Sequence, residues 1–88
     1  MRLDSTYKIY SVEGENVILQ PLVDGAMSRV VGFNESSLFL WNGFQNVDFN
    51  ADDLVQALLS EYEVEESVAR ADVDGLLAQL RDNGLLIE

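Results

Sequence analysis

The hydrophobic period of the chain changes near residue 34. Before it, short segments rich in β-branched and aromatic residues are broken by turn signals; after it, leucine and alanine recur at helical spacing. Periods of about 2 and about 3.6 residues need different backbones, so this switch restricts the chain to strands first and helices second. That order predicts an α+β fold rather than an alternating α/β one. With 88 residues, positions 1–88 are expected to form one domain. A domain of that size buries only about 60% of the surface its unfolded chain exposes, so most of its apolar residues are needed for one core.

Three strands are expected. Tyr7–Val12 has strand propensity, with Tyr7, Ile9 and Ser11 on one face and Lys8, Tyr10 and Val12 on the other. Glu13-Gly14-Glu15-Asn16 is a turn, and Val17–Gln20 is the returning strand, closed by Pro21. Asp24-Gly25 signals a second turn before a third strand, Ser28–Phe33. Loops this short favour a three-stranded antiparallel meander.

Three helices should follow. Asn34 is placed to cap the first, Glu35–Phe44, whose crowded apolar residues suit a central, buried position and whose end Gly43 marks. Asn50 caps the second, in which Leu54, Val55, Leu58, Leu59 and Tyr62 form one stripe. The third spans about residues 66–83. There Ala69, Val73, Leu76, Leu77 and Leu80 recur at i, i+4, i+7, i+8 and i+11, with Arg70, Asp74 and Arg81 beside them. Asn83-Gly84 is a helix stop, and the apolar tail Leu85-Leu86-Ile87 is expected to lie on the core.

Composition excludes several function classes. The 5 basic and 16 acidic residues give a net charge of −11. Nucleic acid and anionic membrane surfaces both require basic side chains to replace counterions, so neither is an expected partner. With no cysteine and no histidine, there are no disulfides, no thiolate nucleophile, no Cys/His zinc site and no imidazole catalysis. Ser36 and Ser37 therefore lack a base. Asp52 and Asp53 point about 100° apart on a helix and share no site. Glu61, Glu63, Glu65 and Glu66 lack the spacing of a calcium loop and read as solvated surface. The glycines form no phosphate loop. No catalytic residue, metal or cofactor is expected, and a cytoplasmic location follows from the lack of a membrane span or signal-like apolar segment at Met1–Ser5.

What remains is a binding surface. The third strand runs directly into a helix, so one strand of the meander should be an edge, able to accept a strand from a partner. Arg29, Val30, Val31 and Gly32 would present that edge. The alternative is an ordinary edge strand blunted by Arg29, and the residues alone do not separate the two.

Phe33-Asn34-Glu35-Ser36-Ser37-Leu38-Phe39-Leu40-Trp41, the segment Asp52–Val64 with its Glu61-Tyr62-Glu63-Val64, and the closing helix with Leu76-Leu77-Ala78-Gln79-Leu80-Arg81-Asp82-Asn83-Gly84-Leu85-Leu86 resemble, in that order, the PqqD-like family of peptide chaperones. The resemblance covers about residues 5–88; Ser37 departs from it where glycine is common. It implies a winged-helix-like arrangement of three strands and three helices and no catalysis. It further implies recognition of the leader of a ribosomally made precursor peptide, added as a strand beside the third helix. The leader is presented to a modifying enzyme, commonly a radical S-adenosylmethionine enzyme. Carried onto this chain, Arg29, Val30, Val31 and Gly32 would supply backbone hydrogen bonds. Arg70, Asp74, Leu77 and Arg81 would form the helix side, with Leu77 receiving an apolar side chain and the arginines pairing with acids. The alternative for each is a core leucine and solvated charges. A winged helix also suggests DNA binding, but Glu66, Asp72, Asp74 and Asp82 outnumber Arg70 and Arg81 on that helix. An acyl carrier would need Asp-Ser-Leu at a helix start, where this chain has Ser36-Ser37-Leu38. Also open are an interaction domain or regulator that binds no leader, and a homodimer through the exposed strand.

Overall fold

The computed structural model describes residues 1–21 and 28–88, and the side chains of Pro21, Ser28 and Arg29 lie outside that description. The elements are β1 (Arg2–Leu3), β2 (Tyr10–Val12), β3 (Glu15–Pro21), β4 (Ser28–Phe33), α1 (Glu35–Gly43), α2 (Ala51–Glu61), α3 (Glu66–Asp82) and β5 (Leu86–Ile87). Strands β2, β3 and β4 form the expected antiparallel meander, in spatial order β2-β3-β4. The Asp24-Gly25 turn falls outside the described residues.

The β2–β3 hairpin turns on two residues with positive φ, Glu13 at 52° and Gly14 at 82°. Two left-handed residues in a two-residue loop match the right-handed twist of the flanking strands, which is why glycine is suited to this place. The turn sets Val12 opposite Glu15, and the register continues through Tyr10 opposite Val17. β2 begins at Tyr10 rather than at Tyr7. The Asp4 side chain accepts from the Thr6 N–H at 3.1 Å and from its hydroxyl at 2.6 Å. These local bonds compete with strand pairing upstream, and Tyr7 and Ile9 pack half-buried on the core.

Each helix starts where its sequence supplies an acceptor. The Asn34 side chain accepts from the Ser37 N–H at 2.8 Å at the start of α1. At α2, Asn50 accepts from the Asp53 N–H while Asp53 accepts from the Asn50 N–H, both at 2.9 Å. This reciprocal box satisfies two amides that would otherwise lack a helical partner. Asn50→Ala is expected to lower stability by about 1 kcal/mol, read as a lower urea midpoint at unchanged slope. α3 stops at Gly84, whose φ of +69° suits glycine. The Leu85 N–H then closes on the Leu80 carbonyl at 2.8 Å, a Schellman-type ending that turns the chain back over the core.

One apolar core joins the sheet to all three helices. Ile18, Val31 and Phe33 from the sheet meet Leu40 and Trp41 of α1, Leu54, Val55 and Leu58 of α2, and the whole predicted α3 stripe. Phe33 and Trp41 stack edge to face with ring centroids 5.5 Å apart. Leu85 is fully buried, as expected of the tail, but Ile87 is 52% exposed. The sequence reading did not anticipate the small ribbon that holds this tail. β1 pairs antiparallel with β5, Arg2 opposite Ile87 and Leu3 opposite Leu86. Met1 and Phe49 exchange two backbone bonds, 2.8 and 3.0 Å, that extend the N-terminal anchorage. Two-residue strands at opposite ends of the chain have no visible period.

Candidate functional site

Among the described residues β4 pairs with β3 and with no other strand, so the sheet order leaves one of its edges open. Within an antiparallel strand, a residue's N–H and C=O point to the same side, and successive residues alternate. Two observations show which residues face outward. The hairpin parity directs Glu15 and Val17 to β2, and hence Asn16, Ile18 and Gln20 to β4, whose partners are Phe33, Val31 and Arg29. Independently, the Gly32 carbonyl accepts from the Gln79 side chain of α3 at 3.0 Å. Gly32 and Val30 therefore turn their amides and carbonyls outward, while Val31 bonds inward to Ile18.

The side chains divide likewise. Val31 is 3% exposed and belongs to the core, whereas Val30 is 61% exposed on the opposite face. That face also carries Tyr10, Val12 and Leu19 around the buried Val17. A Cβ built on Gly32 would meet no atom within 4 Å. The backbone of β4 can thus be approached closely beside Gly32, and the Arg29 backbone pairs with Gln20.

α3 reaches this edge through Gln79. Gln79 lies on a stripe with Val68, Asp72 and Gly75, spaced i, i+4, i+7 and i+11. Val68, Asp72 and Gly75 are exposed and Gln79 is half-buried, and a Cβ on Gly75 would also meet open space. The stripe named from sequence, Arg70, Asp74, Leu77 and Arg81, is displaced by two residues, which is about 200° round the helix axis. Among the described residues no hydrogen bond or ion pair joins this stripe to β4. Arg70 turns to α2, bonding Asp52 at 3.0 Å and reaching Glu66 at 3.5 Å. The Asp52 hydrogen bond raises the Arg70 pKa, with Glu66 adding to it. Arg81 pairs with Glu88 at 3.0 Å. Leu77, 6% exposed, is part of the core, and Asp74 is exposed. The signal missed in the sequence was the other border of the same apolar stripe. It is equally regular, but nothing local says which border faces the sheet.

Gln20 makes a second tie between the sheet and α3. Its buried side chain donates to the Asn83 carbonyl at 2.7 Å, joining β3 to the C-terminus of α3. α3 packs most extensively on α2, and the long Gln79 side chain spans the distance to β4. The open edge of β4 and the face of α3 that carries Gln79 thus adjoin at Gly32. Chemically this edge can offer main-chain donors and acceptors at Val30 and Gly32, with the Gln79 amide beside them. Among the described residues, no three carboxylates gather as a metal site, and no helix is long and apolar enough to cross a membrane.

Two solved structures share this architecture. TbiB1 in complex with the TbiA(beta) leader peptide superposes with a TM-score of 0.70 at 20% identity, covering 98% of this chain and 94% of that one. A lasso peptide synthetase B1 complexed with the leader peptide gives a TM-score of 0.69 at 25% identity, covering 99% and 96%. No curated relative matches the chain. The pattern of coenzyme PQQ synthesis protein D (PqqD) matches residues 12–86, from the end of β2 into β5, and the chain belongs to the PqqD family.

Proposed function

We propose that this protein is a non-catalytic carrier for the leader of a ribosomally made precursor peptide. The leader adds as a strand along the outer edge of β4, in the cleft beside α3. The observation that carries this reading is the edge of β4 left unpaired among the described residues, in the order β2-β3-β4. A guest there gains main-chain bonds at Val30 and Gly32 whatever its sequence, and its alternate side chains meet the Val68–Gln79 stripe. Affinity then comes from the ladder and selectivity from the helix. Both similar structures were solved with leader peptides bound, which supports the same kind of guest here.

The carrier performs no bond chemistry in this reading. No histidine or cysteine is available anywhere in the chain to activate a nucleophile. A peptide-modifying enzyme would act on the presented precursor, and a radical S-adenosylmethionine enzyme is the partner class that the family resemblance implies. A second copy on the same edge would bring together two chains of net charge −11, which electrostatic repulsion opposes. A peptide is the better guest. The cytoplasm, where precursors are made, is the corresponding location.

Amide NMR tests this directly. Titration with the N-terminal part of a precursor encoded beside this gene is expected to shift the amides of β4 and those around Gly75 and Gln79, leaving those around Arg70 and Asp52 comparatively still. Unmoved resonances over residues 28–33 and α3 at millimolar peptide would remove the β4 edge as the site.

A further inference from the structure

The Gly32 carbonyl is an outward acceptor of the β4 edge, and it is already in use: Gln79 donates to it at 3.0 Å. We infer that Gln79 is an intramolecular stand-in for the guest's amide, capping this carbonyl in the empty protein and surrendering it when a strand arrives. This rests on the peptide-binding reading above and adds to it the residue that sets the cost of entry.

The geometry of strand addition makes the competition direct. An added strand lies about 4.8 Å from β4, and its amide nitrogen would sit about 2.9 Å from the acceptor oxygen. The Gln79 amide now holds a comparable distance from the same oxygen, approaching from the side that faces away from β3. Guest amide and Gln79 amide therefore converge on one position beside Gly32. The side chain has somewhere to go. Gln79 is only half-buried, and one helical turn away Gly75 leaves open space.

Two consequences follow for recognition. A guest with an N–H at this register exchanges one neutral hydrogen bond for another, so its gain there is small. A guest lacking that N–H, such as one with proline at the register, leaves Gln79 in place and the carbonyl still satisfied. Gln79 thus weakens ordinary guests slightly and shelters imperfect ones from the penalty of a buried, unpaired carbonyl. It also covers part of an edge that would otherwise invite unwanted strands.

The test is a cycle between host and guest. A display library of random peptides is panned on the wild-type protein. The tightest peptide is then synthesised with a free backbone and with a single N-methyl group at each position in turn. Affinities are measured by fluorescence anisotropy for wild type and for Gln79→Met, which keeps length and helix propensity but has no donor. Gln79→Ala repeats the comparison in case the methionine fills the cleft.

The free-backbone peptide is expected to bind at least one variant about 2- to 10-fold tighter than wild type, the range of one net hydrogen bond. At one guest position, N-methylation should cost the variant several-fold more than it costs wild type. Equal or weaker binding by both variants, with the same N-methyl penalties as wild type, overturns the stand-in role and leaves peptide binding intact. A library that yields no binder overturns the peptide-binding reading itself, and this inference with it.

Discussion

Val30→Pro is expected to remove guest binding while leaving the protein folded. Proline lacks the N–H, and its ring occupies the direction in which that N–H pointed. At Val30 that direction is outward, away from β3. The fold loses no ladder bond, and a side chain 61% exposed gives up little packing. A guest strand loses one backbone bond and must leave its own carbonyl unpaired. Together these cost about 2–4 kcal/mol, roughly 30-fold in affinity and upward. Val31→Pro is the contrasting variant, since its N–H faces Ile18 and its side chain is only 3% exposed. It should unfold the sheet rather than block a guest. Anisotropy with a bound peptide and circular dichroism of the two variants separate these outcomes. Wild-type affinity in folded Val30→Pro would show that the guest does not use this edge.

The second large effect is expected at Trp41. It is 3% exposed, central in the core and stacked edge to face on Phe33, the last residue of β4. Trp41→Ala should cost about 3–5 kcal/mol, combining lost burial with a cavity that neighbours cannot close. An 88-residue domain holds about 4–13 kcal/mol in total, so the variant should be close to unfolding at room temperature. The measurement is urea unfolding followed by circular dichroism, because Trp41 is the only tryptophan and its removal abolishes the tryptophan fluorescence. A loss below about 1 kcal/mol would mean that the α1 aromatics are not part of the packing that positions β4.

Local features were legible because their causes lie within a few residues of their effects. The Asn34 and Asn50 caps act on amides three residues away. The α3 stripe buries as its spacing predicts, and Gly84 adopts the left-handed stop. The meander followed from turn signals and short loops, and its open edge followed from the order of elements. The shortened β2 was less legible, since Tyr7 and Ile9 serve the core equally well outside a strand. The β1–β5 ribbon was not legible at all, because its pairs are 85 and 83 residues apart (Arg2 with Ile87, Leu3 with Leu86).

The candidate site shows the same division at finer scale. The sequence reads Arg29–Gly32 as a strand edge, but the outward role of Val30 and Gly32 follows from the β2–β3 turn and from Gln79. For α3, the apolar face was certain and its two borders were equivalent until packing on α2 drew Arg70 to Asp52 and the Gln79 side chain met the Gly32 carbonyl. By itself the sequence determined the three strands of the meander in outline, the three helices with their starts and stops, and which face of each helix is buried. Those outcomes depend on backbone conformation and side-chain period within a single element. Only the tertiary structure decided which strand edge faces which helix border, and so which groups remain free for a guest. That choice depends on contacts between elements distant in the chain, and no local preference encodes it.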